Sequence, residues 1–529
     1  MAASTRPLPK WPFVLAAFFL VIVTLALIVK ARLHVINQTT RAWVVGELSQ
    51  RFKSRVELDS LQVAVWPKMN VQGRGLTVHF HNRVDVPPVI HIDEFEFNLG
   101  LAGLLHSVHR IDSVVLRHMV ITLPPRNAGD KQDSSLHDGM KTFPAVVVET
   151  MICDNTQLFF LSRKPGKDPL DFEIHNLTLR NVGTGRPFDF QGNLTNAKPK
   201  GEIATQGQFG PWDAEEPGET PVSGNYEFSN ADLNPLPGIG GILSSTGKYS
   251  GPLDELSVDG QTDTPDFSID PVGHGVPLHT DFSATVNGTD GDTFLHPVHA
   301  VLGKSVIIAN GSVVLVRAKQ GHLITLDVTA PAARFEDILS LAVKSAKPPL
   351  TGIVKLKTNL VIPPSKERAV DKLLLDGDFE SDDARFTSAE VREKLQSLSR
   401  HGLGQPADPN AGSAVSGLKG HFHLENAMVT FTHLNFSVEG AAILLDGTYK
   451  IHGGELNFHG HLEMKAKLSE TMTGAKAVLL KPFDPLFSKG KSGTVIPISI
   501  TGTRENPTFS VSVFHKTIKR QMGTQKQQR

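Results

Sequence analysis

Histidines recur in this sequence as His-x-His: His79 with His81, His421 with His423, and His459 with His461. On an extended strand both members of such a pair point to one face, so each pair offers two imidazoles to a metal ion. A zinc site needs three or four ligands. The pairs fall on the polar side of their alternating runs, where solvated surface positions account for them. The stretch GILSSTGKY looks like a phosphate loop, but five residues rather than four separate Gly241 from Gly247, and Tyr249 stands where Ser or Thr would bind magnesium. Asp376, Asp378 and Glu380 alternate along a strand as carboxylates on a wet face do. No His-Glu-x-x-His, Gly-x-Ser-x-Gly or dinucleotide fingerprint is present. The single cysteine, Cys153, excludes an intramolecular disulfide and any multi-cysteine metal site, and reads as a buried apolar thiol. The expectation is a chain that is not an enzyme, with no catalytic residues, cofactor or metal.

The elements that carry these residues have a period of two. The runs LQVAVWP, NVQGRGLTVHF, PVIHIDEFEFNL, FEIHNLTLRNV, KSVIIANGSVVLV and TGIVKLKTNLVI alternate apolar and polar residues as half-buried strands do. Glycines and asparagines punctuate the runs as turn residues. With 46 Gly, 34 Pro and 29 Phe but 3 Tyr, composition agrees with a mainly β chain. Three helices interrupt. INQTTRAWVVGELSQRF sets Ile36, Trp43, Val44, Leu48 and Phe52 on one stripe. ARFEDILSLAVKS gathers Phe335, Ile338, Leu339 and Ala342. RFTSAEVREKLQSLSR opens with Thr387 and Glu390 as a capping box and carries Val391, Leu395 and Leu398 as its buried stripe.

Charge names no partner: 53 basic and 54 acidic residues nearly cancel. Arg6, Lys10, Lys30 and Arg32 flank the amino-terminal segment, and without them 49 basic face 54 acidic residues. A phosphate-backbone binder needs a basic stripe, so no nucleic acid is expected. The segment WPFVLAAFFLVIVTLALIV, Trp11 to Val29 with Phe13, Phe18 and Phe19 inside it, carries no charge. As a helix it would span ~28 Å, close to the hydrocarbon thickness of a bilayer. A cleaved signal peptide is the rival reading, with Val29 and Ala31 as a weak cleavage pair. The apolar stretch is longer than such a peptide needs, which favours an uncleaved anchor.

The alternation makes a physical demand. Phe422 and Leu424 share a face in GLKGHFHLENAMVTF; Leu456, Phe458, Leu462 and Met464 do so in GELNFHGHLEMKAKL. Ile496, Ile498 and Ile500 align in GTVIPISITGT, and Phe509, Val511 and Val513 in the run after it. Apolar surface left in water costs roughly 25 cal/mol per Å², so these faces must be covered. Helices are too few. Either the sheet packs on itself, or it curls into a trough that holds apolar ligands.

The order of these segments resembles the AsmA-like family of bacterial envelope proteins. The resemblance rests on the anchor and helix followed by VELDSLQVAVWPKMNVQGRGLTV, on VPPVIHIDEFEFNLGLAGLLHSVHRIDSVVLRHMVITLPPR, and above all on the glycine-punctuated strands, KPFDPLF and ISITGTRENP near the carboxyl end. SLAVKSAKPPLTG and RFTSAEVREKLQSLSRHGLG resemble the family's central helices, while residues 126 to 330 match only in patches. The family implies an elongated, twisted antiparallel sheet forming a repeating periplasmic β-groove behind a single inner-membrane helix. It also implies a role in outer-membrane biogenesis of Gram-negative bacteria. Phospholipid acyl chains would be the partners, and the twelve apolar positions from Phe422 to Val513 named above the groove lining. A non-catalytic scaffold for other envelope proteins is the alternative. The resulting division is 1–32 stub and anchor, 33–125 amino-terminal region, 126–345 central groove with flexible loops, 346–515 carboxy-terminal groove, and 516–529 basic flexible tail. Within it, Pro497 is expected at an edge or bulge, because proline cannot donate to a ladder.

Overall fold

The computed structural model describes residues 38–521 apart from 53, 65–68, 80–86, 100–108, 124–145, 161–169, 184, 212–216, 237–238, 270–273, 289–290, 317–320, 343–346, 366, 406–414, 472–492, 505 and 514–515. Strands dominate, with 27 of them among the described residues. No described helix is long and apolar enough to cross a membrane. Trp11, Phe13, Phe18, Phe19 and Val29 lie outside the described residues, as does KPFDPLF. The chain divides into two compact units. The first comprises Met1–Pro235, Leu243–Gln261 and Ser283–Asp292; the second comprises Leu236–Ile242, Thr262–Phe282 and Thr293–Arg529.

The first unit opens with helix α1 (Gln38–Phe52) and strands β1 (Val56–Glu57), β2 (Ser60–Ala64), β3 (Met69–Val78), β4 (Ile90–Leu99), β5 (His109–Leu123) and β6 (Val146–Phe160). It continues through β7 (Leu170–Gly183), β8 (Phe188–Asn196), β9 (Lys200–Phe209), β10 (Pro221–Asp232) and β11 (Ile242–Pro252). β11 (through Ile242), β12 (Leu256–Phe267) and β13 (Val276–Val286) contribute residues to both units. Val44 and Leu48, four apart on α1, are fully buried, as the helical stripe requires. They join Met69, Val71, Ile92, Phe97, Ile111, Val114 and Leu116 in a close-packed cluster. This beginning of the sheet is therefore filled, and one open apolar face does not run through it.

β5 and β6 pair in parallel, His109 beside Val146 through Leu123 beside Phe160. That is a departure from the expected antiparallel sheet. The 22 residues between them, 124–145, are long enough to return the chain to the starting end, which a hairpin turn is not. Every other described pairing is antiparallel.

Cys153 sits on β6 between Leu116 and Leu177 and is buried. Burial first, and the neighbouring Asp154 charge second, push its thiol up to about 12. The thiolate is the reactive form, so native protein at pH 8 should leave dithionitrobenzoate unreduced and release one equivalent only after guanidinium unfolding. Rapid stoichiometric release from the native chain would mean that this core is open.

The second unit holds β14 (Thr293–Leu302), β15 (Ser305–Val316), β16 (Gly321–Arg334), helix α2 (Phe335–Ala342), β17 (Leu350–Thr351), β18 (Ile353–Ile362) and a single helical turn, α3 (Ala369–Lys372). β19 (Leu374–Ser381), β20 (Arg385–Phe386) and helix α4 (Ala389–Gly402) follow, then β21 (Ser416–Glu425), β22 (Met428–Val438), β23 (Ala441–Lys450) and β24 (Glu455–Met464). β25 (Thr494–Thr503), β26 (Pro507–Val513) and β27 (Lys516–Gln521) end the series. β17 and β20 form a separate two-stranded ladder.

α4 begins one residue later than the capping box predicts. Ser388 is the N-cap and accepts the Val391 N–H, while the Thr387 hydroxyl donates to Pro348 O at 2.7 Å. The β17–β20 ladder draws Thr387 into the sheet side of the turn, and the next hydroxyl takes the cap. Leu395 is buried and Val391 and Leu398 pack against the same cluster, so the stripe itself stands.

Residues 516–521, expected as flexible tail, form β27 against β26. Their lysines and arginine suit an outer strand, where charge discourages pairing with another chain. β25 is thus an interior strand. Pro497 faces His461 on β24, and pairing to β26 begins only at Ile498, so the missing N–H falls just beyond that ladder.

Many glycines also stand mid-strand instead of in turns. At Gly460 on β24 the Leu444 carbonyl oxygen of β23 occupies the place a Cβ would take. At Gly207 the Ser223 carbonyl does the same. Such close backbone approach bends the strands toward the glycine face and gives the sheet local curvature.

Candidate functional site

Register gathers the second unit's apolar residues on one sheet face. A cross-strand row runs Gly377, Phe422, Phe431, Gly447, Phe458, Ile500, Phe509 from β19 to β26. The adjacent row runs Leu375, Leu424, Val429, Tyr449, Leu456. Phe379 lies 6.2 Å from Phe422 and meets Phe431 edge-on at 6.4 Å, and Phe431 is 5.9 Å from Phe458. These spacings fall within the range of favourable aromatic pairs. The glycines make the row possible: at Gly447 a Cβ would lie 2.7 Å from the Phe458 ring.

Ten of the twelve groove positions expected from sequence have described side chains, and register sets all ten on this face. Their burial differs. Leu424, Phe458, Leu462, Met464 and Ile496 are buried; Phe422, Leu456, Ile498 and Ile500 are half-buried; Phe509 is 38% exposed. Val511 pairs with Ile498 and Val513 with Lys516 through the backbone, and their side chains lie outside the described residues.

The gradient has a cause. The carboxyl end of α4 is fixed at the β22–β23 turn, where Ser399 Oγ donates to Glu439 O at 2.8 Å and a Cβ on Gly402 would come within 2.6 Å of Gly440 O. Near that turn Ile443, Leu445, Leu462, Met464 and Ile496 cluster with Leu395 and are covered. Farther along the strands, the rows of Phe422, Leu456 and Ile500 lack a complete cover among the described residues. The Lys394 ammonium stands 5.5 Å above the Phe509 ring, a cation–π contact at an exposed site. Sequence reasoning missed Phe379, Phe431 and Tyr449. The parity of LDGDFES points to Phe379, but the bulge at His433, with φ of 53°, breaks the β22 alternation after Phe431.

The opposite face carries charge. Lys355, Glu380 and Lys419 line up across three strands, as do Lys357, Asp378 and His421, then Asn359, Asp376 and His423. His421 Nδ1 is 3.1 Å from Asp378 and His423 Nδ1 is 3.0 Å from Asp376. The His-x-His pair here is an exposed cross-strand ladder to carboxylates. Among the described residues no group of three or more His, Cys, Asp or Glu is placed to hold a metal ion. His79 lies 3.3 Å from a Glu57 oxygen at an angle that makes no hydrogen bond, and His81 lies outside the described residues.

In the first unit one sheet face carries tyrosines between β9 and β11. Tyr226 reaches across Gly247 to Ser245 (3.0 Å), and Tyr249 crosses Gly224 to Thr205 (2.8 Å). Burial raises the Tyr249 phenol above its ordinary value, with the Thr205 hydrogen bond acting against it. An oily lining is interrupted here, because glycine leaves room for tyrosine to lie over the strand and bring its hydroxyl with it.

No family model matches the chain, and a search of curated proteins finds no relative.

Proposed function

We propose that the half-covered apolar face of the second unit binds phospholipid acyl chains. In this reading the chain is a non-catalytic protein of outer-membrane biogenesis, held at the inner membrane by residues 11–29 with its bulk in the periplasm. One observation carries it: Phe422, Leu456, Ile498 and Ile500 stay only partly buried, whereas Leu462, Met464 and Ile496 on the same face are buried. Leaving such a surface wet is costly at roughly 25 cal/mol per Å², and a flexible chain of methylenes fits a curved aromatic and aliphatic floor. The resemblance to AsmA-like proteins agrees with this use. The filled interior around Phe97 and Leu48 favours a second reading for the first unit alone, as a rigid scaffold for other envelope proteins.

The test places a photo-crosslinking phenylalanine analogue at Leu456 or Ile500 in the full chain, expressed in a Gram-negative host. Lipid adducts by mass spectrometry are the expected result. Crosslinks to residues 472–492 of the same chain would mean that the protein covers the face itself and would sink the carrier reading. Crosslinks to a separate protein would favour the scaffold.

A further inference from the structure

On the opposite face of β7–β10 the same glycine bend opens a second, chemically different site. Gly207 and Gly224 face each other across β9 and β10, and the side chains before and after them splay on the other side. Between the splayed rows lies an open groove of about 380 Å³. One row pairs Gln191 with Gln206 and Gln206 with Asn225; the other pairs Arg180 with Asp189 and Asp189 with Gln208. Gln208 Nε2 donates to Asp189 Oδ1 at 2.9 Å. The side-chain amides of Gln191, Gln206 and Asn225 make no hydrogen bond among the described residues. We infer that this groove binds a neutral oligosaccharide.

The chemistry selects that class. A planar amide donates and accepts in one plane, which matches vicinal hydroxyls that do both. Arg180 and Asp189 stand directly opposite and cancel, so a phosphorylated or carboxylated polymer gains little. Amides, hydroxyls and the Arg180–Asp189 charges are interspersed with Phe190 and two glycines along the groove, which offers an acyl chain no continuous apolar wall. An extended peptide would need free backbone groups at a sheet edge, whereas β7, β8 and β9 are each paired on both sides and β10 pairs with β9 without a break from Val222 to Ser229. Amides on adjacent strands repeat at ~4.8 Å, close to the length of one sugar ring, so successive residues of a glycan meet successive strands. The site is independent of acyl-chain binding, and its failure would leave that proposal standing.

The experiment uses the full chain in a detergent without a sugar headgroup, titrated with chitotetraose and maltotetraose by calorimetry and saturation-transfer NMR. Binding of at least one is expected, weakened about tenfold or more in Gln191→Ala/Gln206→Ala, since each lost hydrogen bond removes a share of a modest affinity. Asn225→Ala is the second variant, and unchanged melting of either one separates lost contact from lost fold. No binding of either sugar at about 10 mM, undiminished binding in both folded variants, or preference for an anionic polymer or a peptide would each overturn the assignment.

Discussion

Gly460→Val opens the β23–β25 part of the second unit at a cost of about 3 kcal/mol or more. The Leu444 carbonyl oxygen fills the position of the added Cβ, with Leu445 Cα close behind. Backbone of an interior strand cannot step aside as a flexible side chain can, so β24 must lift from β23 and break its ladder. Hydrogen exchange reads this directly: amides of β23 and β24 should lose about 100-fold in protection, because each 1.4 kcal/mol is a factor of ten. Gly46→Ala is the control with opposite sign. Gly46 lies inside α1 with nothing within 4 Å of a new Cβ, so alanine should stabilise the helix by up to ~1 kcal/mol. Equal effects from the two substitutions would show that Gly460 is a conformational convenience and not a bend.

That contrast also marks what the sequence could and could not reveal. Alternation identifies strands because period two is a property of the backbone, and Phe422, Leu456 and Ile500 fall on one face as parity requires. Glycine has no side chain and hence no parity, so Gly207, Gly447 and Gly460 look like turns until the neighbouring strand is seen lying against them. Register across strands is a tertiary property. It sets Phe379 among Phe422 and Phe431, and no spacing within one run contains it. The packed beginning of the sheet was hidden for a related reason: ELDSLQVAV and IHIDEFEFNL alternate like the later strands, yet α1 and the curvature of the sheet itself fill the face they make. The displaced cap at Ser388 follows from the β17–β20 ladder, which joins residues 34 and 36 positions apart.

Phe97→Ala and Ile500→Ala together test whether the two apolar faces differ as their burial implies. Phe97 lies between Val71 and Val114, stacks on Phe95 at 5.2 Å and is 2% exposed. Truncation leaves a void that the close-packed cluster cannot collapse into, at about 3–5 kcal/mol. Ile500 is bounded by Phe458 and Phe509 but half-open above. Its truncation removes methylenes already partly wet and leaves a dent, not a cavity, so about 1 kcal/mol is expected in delipidated protein. Local hydrogen exchange gives both values. If bound acyl chains complete the second face, lipid-loaded protein should show a larger Ile500→Ala cost than delipidated protein, because a ligand that binds only the folded state adds its own stabilisation and the variant loses part of it. A cost at Ile500 equal to that at Phe97 without lipid would mean that the face is already filled in solution by the chain itself. The trough would then be a core, and the acyl-binding proposal would fall on energetics alone.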